Sequence, residues 1–246
     1  MWNGKKVSVV FPAYNEAENI HNAIRDFMDN SNGVIDELIV VDNNSSDATA
    51  SIAASDGARV VLEKKQGFGN AVIRGLHEAS GEYVIVAEPD NTFTGKDVIK
   101  FLVYADEFDF VVGTRTSRAM IWEGANMGFF LKFGNWAVAK LLEFLFNGPS
   151  LTDVGCTFRL INRKGLEKIL PVLSVGGSHF NPEMVIAAIL TGLRVVEIPV
   201  NYRPRIGVSK ITGSLKRTIK TGLKMIALII SYRISSVFST KNITYR

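Results

Sequence analysis

Through its first half this chain alternates short β-branched runs with stretches of helical periodicity, a rhythm that restricts it to an α/β sheet, mostly parallel, with helices on both faces. Residues 7–11 (VSVVF) read as a first strand, and 16–28 carry Ile20, Ala23, Ile24 and Phe27 at helical spacing. Residues 37–41 (ELIVV) predict a second strand, with Ser45, Ser46 and Asp47 as candidate N-caps of a helix over 48–55. The pattern continues as a weaker strand over Arg59–Leu62, a helix over 69–79, a strand over 83–87 (YVIVA), a helix over 96–104 and a strand over 108–112 (FDFVV). Beyond it, 127–146 read as one long aromatic-rich helix stopped by Asn147, Gly148 and Pro149. A helix over 181–190, a late strand over 195–200 and a helix from 214 to about 237 complete the chain.

No Gly-, Ser- or Pro-rich linker, repeat or low-complexity tract interrupts this order, so the expectation is one domain, 1–212, with a basic amphipathic helix and tail over 213–246. With 246 residues, 47% of them apolar, the chain can bury a single large core, which excludes disorder and fibrous repeats. Cys156 is its only cysteine and forms no internal disulfide, and no cationic segment followed by an apolar run opens the sequence. The longest unbroken apolar run, 225–230, is far short of the roughly 18 residues that span a bilayer, so the expected setting is cytoplasmic, with nothing crossing a membrane.

Charge is unevenly placed. The net charge is +4, yet after Glu197 there is no acid while ten Lys and Arg follow; residues 1–202 carry 18 minus 24, or −6, and 203–246 carry +10. Such a tail suits an anionic partner, whether a lipid surface, a phosphorylated substrate or nucleic acid, and it also suits a solvated basic end. Nucleic acid ranks last, because no base-stacking motif accompanies the charge.

In an open α/β sheet, ligands bind at the carboxyl ends of the strands. The residues there are polar or acidic at four exits: Pro12-Ala13-Tyr14-Asn15-Glu16, Asp42-Asn43-Asn44-Ser45, Glu88-Pro89-Asp90 and Gly113-Thr114-Arg115. The first turn contains no G-x-G-x-x-G, which argues against a dinucleotide site and leaves a nucleotide to be held by side chains. Glu88 and Asp90 are hard oxygen ligands suited to a divalent cation that keeps positions open for a diphosphate. An acid-x-Asp triplet is commonly a solvated turn; its position beside two other acidic exits gives it weight. Asp42 could accept hydrogen bonds from a base or ribose, or simply close an Asx turn. Glu16 could favour a helix N-terminus, and Tyr14 could only pack.

Taken together, VSVVFPAYNEAENI, ELIVVDNNSSDAT, KKQGFGNAVIRG, EYVIVAEPDNTF and DFVVGTR resemble, in order and spacing, the family 2 glycosyltransferases of the GT-A fold. Further on, LTDVGCTFRLINRKGL resembles a D-x-x-x-G-F-R block and YRPRIGVSKITG an R-x-G-x-S-K loop, both of the subgroup of dolichol-phosphate mannose synthases and related polyprenyl-phosphate glycosyltransferases. The resemblance implies that Pro12, Tyr14 and Glu16 line the nucleotide pocket, with Val41, Asp42 and Asn43 near base and ribose. It implies Mg²⁺ or Mn²⁺ held by Glu88 and Asp90, and Arg115, Arg159, Arg205 and Ser209 around donor and acceptor phosphates, with Lys210 and Lys132 as weaker candidates. Asp90, Arg115 and Arg205 would be the catalytic set. This chain departs from the subgroup at Asn43, where many relatives have Asp, at Glu88 in place of Asp, and at Thr92 in place of Gln, so base and sugar stay open.

The implied activity is metal-dependent transfer of a sugar from a nucleotide-diphosphate sugar, GDP-mannose or a UDP-hexose, to a polyprenyl or dolichyl phosphate, by an enzyme peripheral on the inner membrane face. A phosphate acceptor is already anionic and needs no general base. Transfer to a glycan hydroxyl would need one, for which Glu183 is the best candidate; His179 reads rather as a loop or capping residue. A non-catalytic sugar-nucleotide-binding subunit is a third reading. Lys216, Lys220 and Lys224 recur along one stripe while Leu215, Ile219, Leu223, Ile226, Ile229, Ile230 and Ile234 lie mostly on another, the pattern of an interfacial helix or of one packed on its domain. Among the aromatics, Trp122, Phe129 and Phe130 suit a lipid-facing patch, and Phe133 and Trp136 the core.

Overall fold

A computed structural model describes residues 1–125, 128–206 and 215–239, the side chains of 129, 215 and 237–239 excepted. Strands β1 (Val7–Ala13), β2 (Glu37–Asp42), β3 (Arg59–Leu62) and β4 (Tyr83–Val86) pair in parallel, linked by helices α1 (Ile20–Asn30), α2 (Thr49–Ser55) and α3 (Phe68–Glu78). Helix α4 (Val98–Tyr104) leads to β5 (Phe110–Thr114), and the long α5 (Phe129–Phe146) precedes β6 (Arg159–Asn162) and α6 (Arg163–Ile169). Helix α7 (Phe180–Leu190), β7 (Val195–Pro199) and α8 (Leu215–Ser239) complete the chain. The sheet order is β3-β2-β1-β4-β6-β5-β7. The α/β, mostly parallel expectation holds. Strand β6 and helix α6 were not anticipated, and β6 runs antiparallel to both β4 and β5.

The apolar runs become strands because both faces of the sheet are covered, and alternate residues feed two cores. Val10, Ile39, Val41, Val84 and Val86 point to one face, against α3, α5, α6, α7 and α8. Val7, Val9, Phe11, Leu38, Val40, Tyr83 and Ile85 point to the other, against α1, α2 and α4. The run G-F-G at the start of α3 is dictated by packing: Cβ atoms on Gly67 and Gly69 would lie 2.3 Å from the Gly176 carbonyl oxygen and 1.9 Å from that of Val175. The segment before α7 therefore lies directly on the first turn of α3.

Helix α8 docks on the domain by one stripe. Met225 and Ile229 are buried against α5 and α7, and the Tyr232 hydroxyl donates to Glu183 Oε1 at 2.7 Å. Its opposite side shows Ile219, Leu223, Ile230 and Ile234 to solvent beside exposed Lys216, Lys220 and Lys224. Packing on the domain and an interfacial pattern thus coexist on one helix. On α5, Phe130, Phe133, Trp136 and Phe144 are exposed, and Phe133 stacks on Trp136 with ring centroids 6.0 Å apart. The core expectation for Phe133 and Trp136 is corrected: α5 turns Val138, Ala139, Leu142 and Phe146 inward and these rings outward. Among the described residues, no helix is long and apolar enough to cross a membrane.

Candidate active site

Parallel register sets the exits at one rim. Ala13 lies level with Asp42 and Val10 with Val86, so the segments leaving β1, β2 and β4 emerge side by side. An asparagine in the left-handed region stands at each exit: Asn15 (φ 52°), Asn44 (φ 61°) and Asn91 (φ 63°). Asparagine tolerates that conformation better than most residues, and the turn it allows sits beside Glu16, Asp42 and Asp90 in turn. Pro12 and Val41 face each other as buried partners in the β1–β2 ladder, and Tyr14 is exposed just beyond.

The acids of the first and third of these exits converge on one cation. Arg205 Nη1 lies 2.9 Å from Asp90 Oδ2, and Arg205 Nη2 donates to Glu16 Oε1 at 3.1 Å. Asp90 is nearly sealed from solvent and its Oδ1 accepts from the Thr92 amide (3.1 Å) and hydroxyl (2.5 Å). Glu16 Oε2 accepts from Asn19 Nδ2 at 2.7 Å. Burial first, then the adjacent Asp90 carboxylate, pushes Glu88 up to about 8, against the opposing pull of Arg205 and Arg115. The Arg203 amide donates to the Thr92 carbonyl at 2.9 Å, and the Arg203 guanidinium lies over Trp122 (5.2 Å to the ring centroid) and 3.3 Å from Asp26. These contacts seat the 202–206 segment on the β4 exit.

Arg115, expected at the phosphates, makes a bidentate pair with Asp153: Nε to Oδ2 at 2.8 Å and Nη2 to Oδ1 at 2.9 Å. Burial alone would lower its pKa, but Asp153 holds it well above the usual guanidinium value. Asp153 is itself placed by Glu197 on β7, which accepts from the amides of Thr152 and Asp153 at 2.9 Å. The Arg115 guanidinium also lies 5.4 Å from the Tyr202 ring centroid, and Tyr202 feels Arg115, Asp90 and Glu88 together. Asp153 and Tyr202 are the site residues that sequence reasoning missed. For Asp153 the signal lay in the direction of β6: because that strand is antiparallel, the residues before it, 153–158, reach the same rim as those following the parallel strands, and the sequence alone did not give that direction.

Several expected site residues point elsewhere. Arg159 is 1% exposed, donates to the Asn181 and Cys156 carbonyls, and is pulled down to about 10 by burial; it braces β6 from within and is not brought to the rim. Asn43 turns its side chain from the pocket to donate to the Glu63 (3.0 Å) and Lys65 (2.9 Å) carbonyls and accept from the Gly67 amide (2.7 Å), thereby fixing the 63–67 loop. Asp42 Oδ1 accepts from the Ser45 amide at 3.2 Å, as an Asx turn does. Lys132 stands in the first turn of α5, and Ser209 and Lys210 lie outside the described residues. Glu183 is fully buried, accepting from Ser174 (amide 3.1 Å, hydroxyl 2.9 Å), the Val175 amide and Tyr232, which removes it as a general base.

Among the described residues no three His, Cys, Asp or Glu side chains gather into a metal cage. The donor set that does exist, two carboxylates with a cation already drawn to one of them, fits Mg²⁺ or Mn²⁺ completing its shell with phosphate and water oxygens.

The family model described as Glycosyl transferase family 2 matches residues 8–170. The chain is 32% identical over 218 residues to an uncharacterised glycosyltransferase of Mycobacterium tuberculosis, covering 88% of this chain and 94% of that one. It is 30% identical to a dolichyl-phosphate hexose transferase of Haloferax volcanii, over 83% of this chain and 86% of that one. A crystal structure of glucosyl-3-phosphoglycerate synthase from Mycobacterium tuberculosis, with Mn²⁺, UDP and glucosyl-3-phosphoglycerate, superposes with a TM-score of 0.70 at 21% identity, covering 94% of this chain and 80% of that one.

Proposed function

Since the chain belongs to glycosyl transferase family 2, we propose that it transfers a hexosyl group from a nucleotide-diphosphate sugar to a polyprenyl phosphate at a membrane face. Glu88 and Asp90 hold the divalent cation, which when bound neutralises the departing diphosphate. Glu16 and the β1 and β2 exits border the nucleotide, with the loop that Asn43 fixes along its edge. Arg205, and Arg115 oriented by Asp153 and Tyr202, supply positive charge on the opposite side of the reacting centre. The observation that carries this reading is the meeting of Arg205, from the basic end of the chain, with Asp90 and Glu16 of the acidic first half.

A phosphate acceptor is supported over a hydroxyl because its oxygen is anionic at neutral pH, and the carboxylate best suited to act as a base is buried under Tyr232. The relative from Haloferax volcanii points to the same acceptor class. The exposed aromatics of α5 and the Ile219–Ile234 side of α8 with its lysines form the membrane-facing surface, on which each cation adds about 1 kcal/mol at an anionic leaflet. Peripheral attachment from the cytoplasmic side follows from that reading.

The test is incubation with Mg²⁺ or Mn²⁺, a panel of UDP- and GDP-sugars and a short polyprenyl phosphate, with the glycolipid sought by mass. Asp90→Asn is expected to lower the rate by roughly a hundredfold or more. Transfer to a free glycan with no product on any lipid phosphate would refute the acceptor, and donor turnover unchanged by Asp90→Asn would refute the site.

A further inference from the structure

We propose that Arg205 is a built-in counter-ion of the cation site, and that the entering metal–diphosphate must exchange with it, driving the guanidinium off Asp90 and Glu16. The inference rests on the reading of Glu88 and Asp90 as cation ligands and adds what the chain does before the cation arrives. Asp90 offers no oxygen free of a partner: Oδ1 is held by Thr92, and Oδ2 bears Arg205 at 2.9 Å. A divalent ion on Oδ2, at the ~2.1 Å of a magnesium–oxygen bond, would stand next to a guanidinium on the same oxygen, beside an Asp90 that is 2% exposed, where repulsion between cations is less screened than in water. That repulsion favours exchange of the one for the other.

The seat is also incomplete for arginine. Arg205 Nε is buried with no hydrogen-bond partner among the described residues, although both of its terminal nitrogens are paired. The other anchors of 202–206 do not involve Arg205: the Arg203 guanidinium beside Asp26 and Trp122, the Arg203 amide to the Thr92 carbonyl, the Tyr202 amide to the Met120 carbonyl, and the Ile206 carbonyl accepting from Asn19 Nδ2 at 3.4 Å. Without its ion pairs the end of the segment rests on the long Ile206 contact, so Arg205 and Ile206 loosen together while Tyr202 and Arg203 stay anchored. Released, it faces the incoming anionic acceptor; seated, it is neutralised. The exchange thus gives the acceptor phosphate its cation only once the donor is in place.

A nitroxide on Ile206→Cys reads the exchange, because Ile206 is exposed and the only native cysteine, Cys156, is fully buried. Adding Mg²⁺ with UDP, or with GDP, to the full-length protein is expected to raise the mobility of the label. Labelled Arg205→Ala is expected to start in the mobile state and to respond no further. By calorimetry, unlabelled Arg205→Ala is expected to bind Mg²⁺ about tenfold more tightly than the wild type, because no closed population has to be opened first. If Mg²⁺ with nucleotide binds and the label spectrum stays unchanged, or if Arg205→Ala binds Mg²⁺ no more tightly, the exchange is wrong while the cation site stands. If neither nucleotide binds with Mg²⁺ at all, the cation site and the exchange fall together.

Discussion

Replacing Tyr232 with Phe tests whether α8 is part of the folded domain or merely lies beside it. The hydroxyl donates to Glu183 Oε1 at 2.7 Å, and the carboxylate it meets is fully buried, with Ser174 and Val175 supplying its other donors. A hydrogen bond to a charged acceptor contributes about 1.5–3 kcal/mol. The phenyl ring keeps the packing against α7, so the loss is confined to that bond. The docking of Leu215–Ser239 should weaken by the same amount, which is about ten- to a hundredfold in the opening equilibrium. Hydrogen exchange followed by mass spectrometry should show faster exchange of the α8 amides by that factor, with the amides of β1, β2 and β4 unchanged. Tyr104→Phe, at an exposed tyrosine, is the control and should change nothing. Unaltered α8 exchange in Tyr232→Phe would refute the claim that this bond fastens the helix.

Asn43→Asp places a carboxylate against the Glu63 and Lys65 carbonyls, and should raise the donor KM about tenfold for UDP- and GDP-sugars alike with little change in kcat, measured by initial rates. Glu37 is held down to about 2: burial alone would raise it, but hydrogen bonds from Ser8, Ser80 and Arg59 more than offset that. Because its folded pKa lies below the unfolded value, the stability it adds is present above about 4.5 and is lost as pH falls towards 2. Urea midpoints across that window should show a loss of about 1–2 kcal/mol, after allowance for solvent screening, that Glu37→Gln lacks. Replacing Lys216, Lys220 and Lys224 with Ser should weaken binding to anionic vesicles about a hundredfold in a sedimentation assay and leave binding to neutral vesicles nearly unchanged.

The central strands were legible in the sequence because buried parallel strands are unbroken apolar runs, as at 83–86, while the edge strand 59–62, largely exposed, gave the weaker pattern expected of it. Strand β6 was not, since four residues opening on an arginine give no periodicity, and its reversed direction places site residues before the strand instead of after it. The acids of the β4 exit could be read from their position alone. Arg205 was reached only through the family resemblance: it lies 189 residues from Glu16, and nothing local to either predicts their ion pair. Arg159 and Asn43 show the converse limit, as residue type and motif place them near the ligand while side-chain direction is settled by neighbours distant in sequence, the Asn181 carbonyl for one and the 63–67 loop for the other.

The outward rings of α5 and the outer row of isoleucines on α8 have a consequence at the bench. In plain buffer, with no lipid to cover them, such surfaces find each other, so the particle size of the purified protein should grow with concentration and shrink when mild detergent or nanodiscs are added. Oligomers seen without either are to be read as a property of the solvent before they are credited to the enzyme.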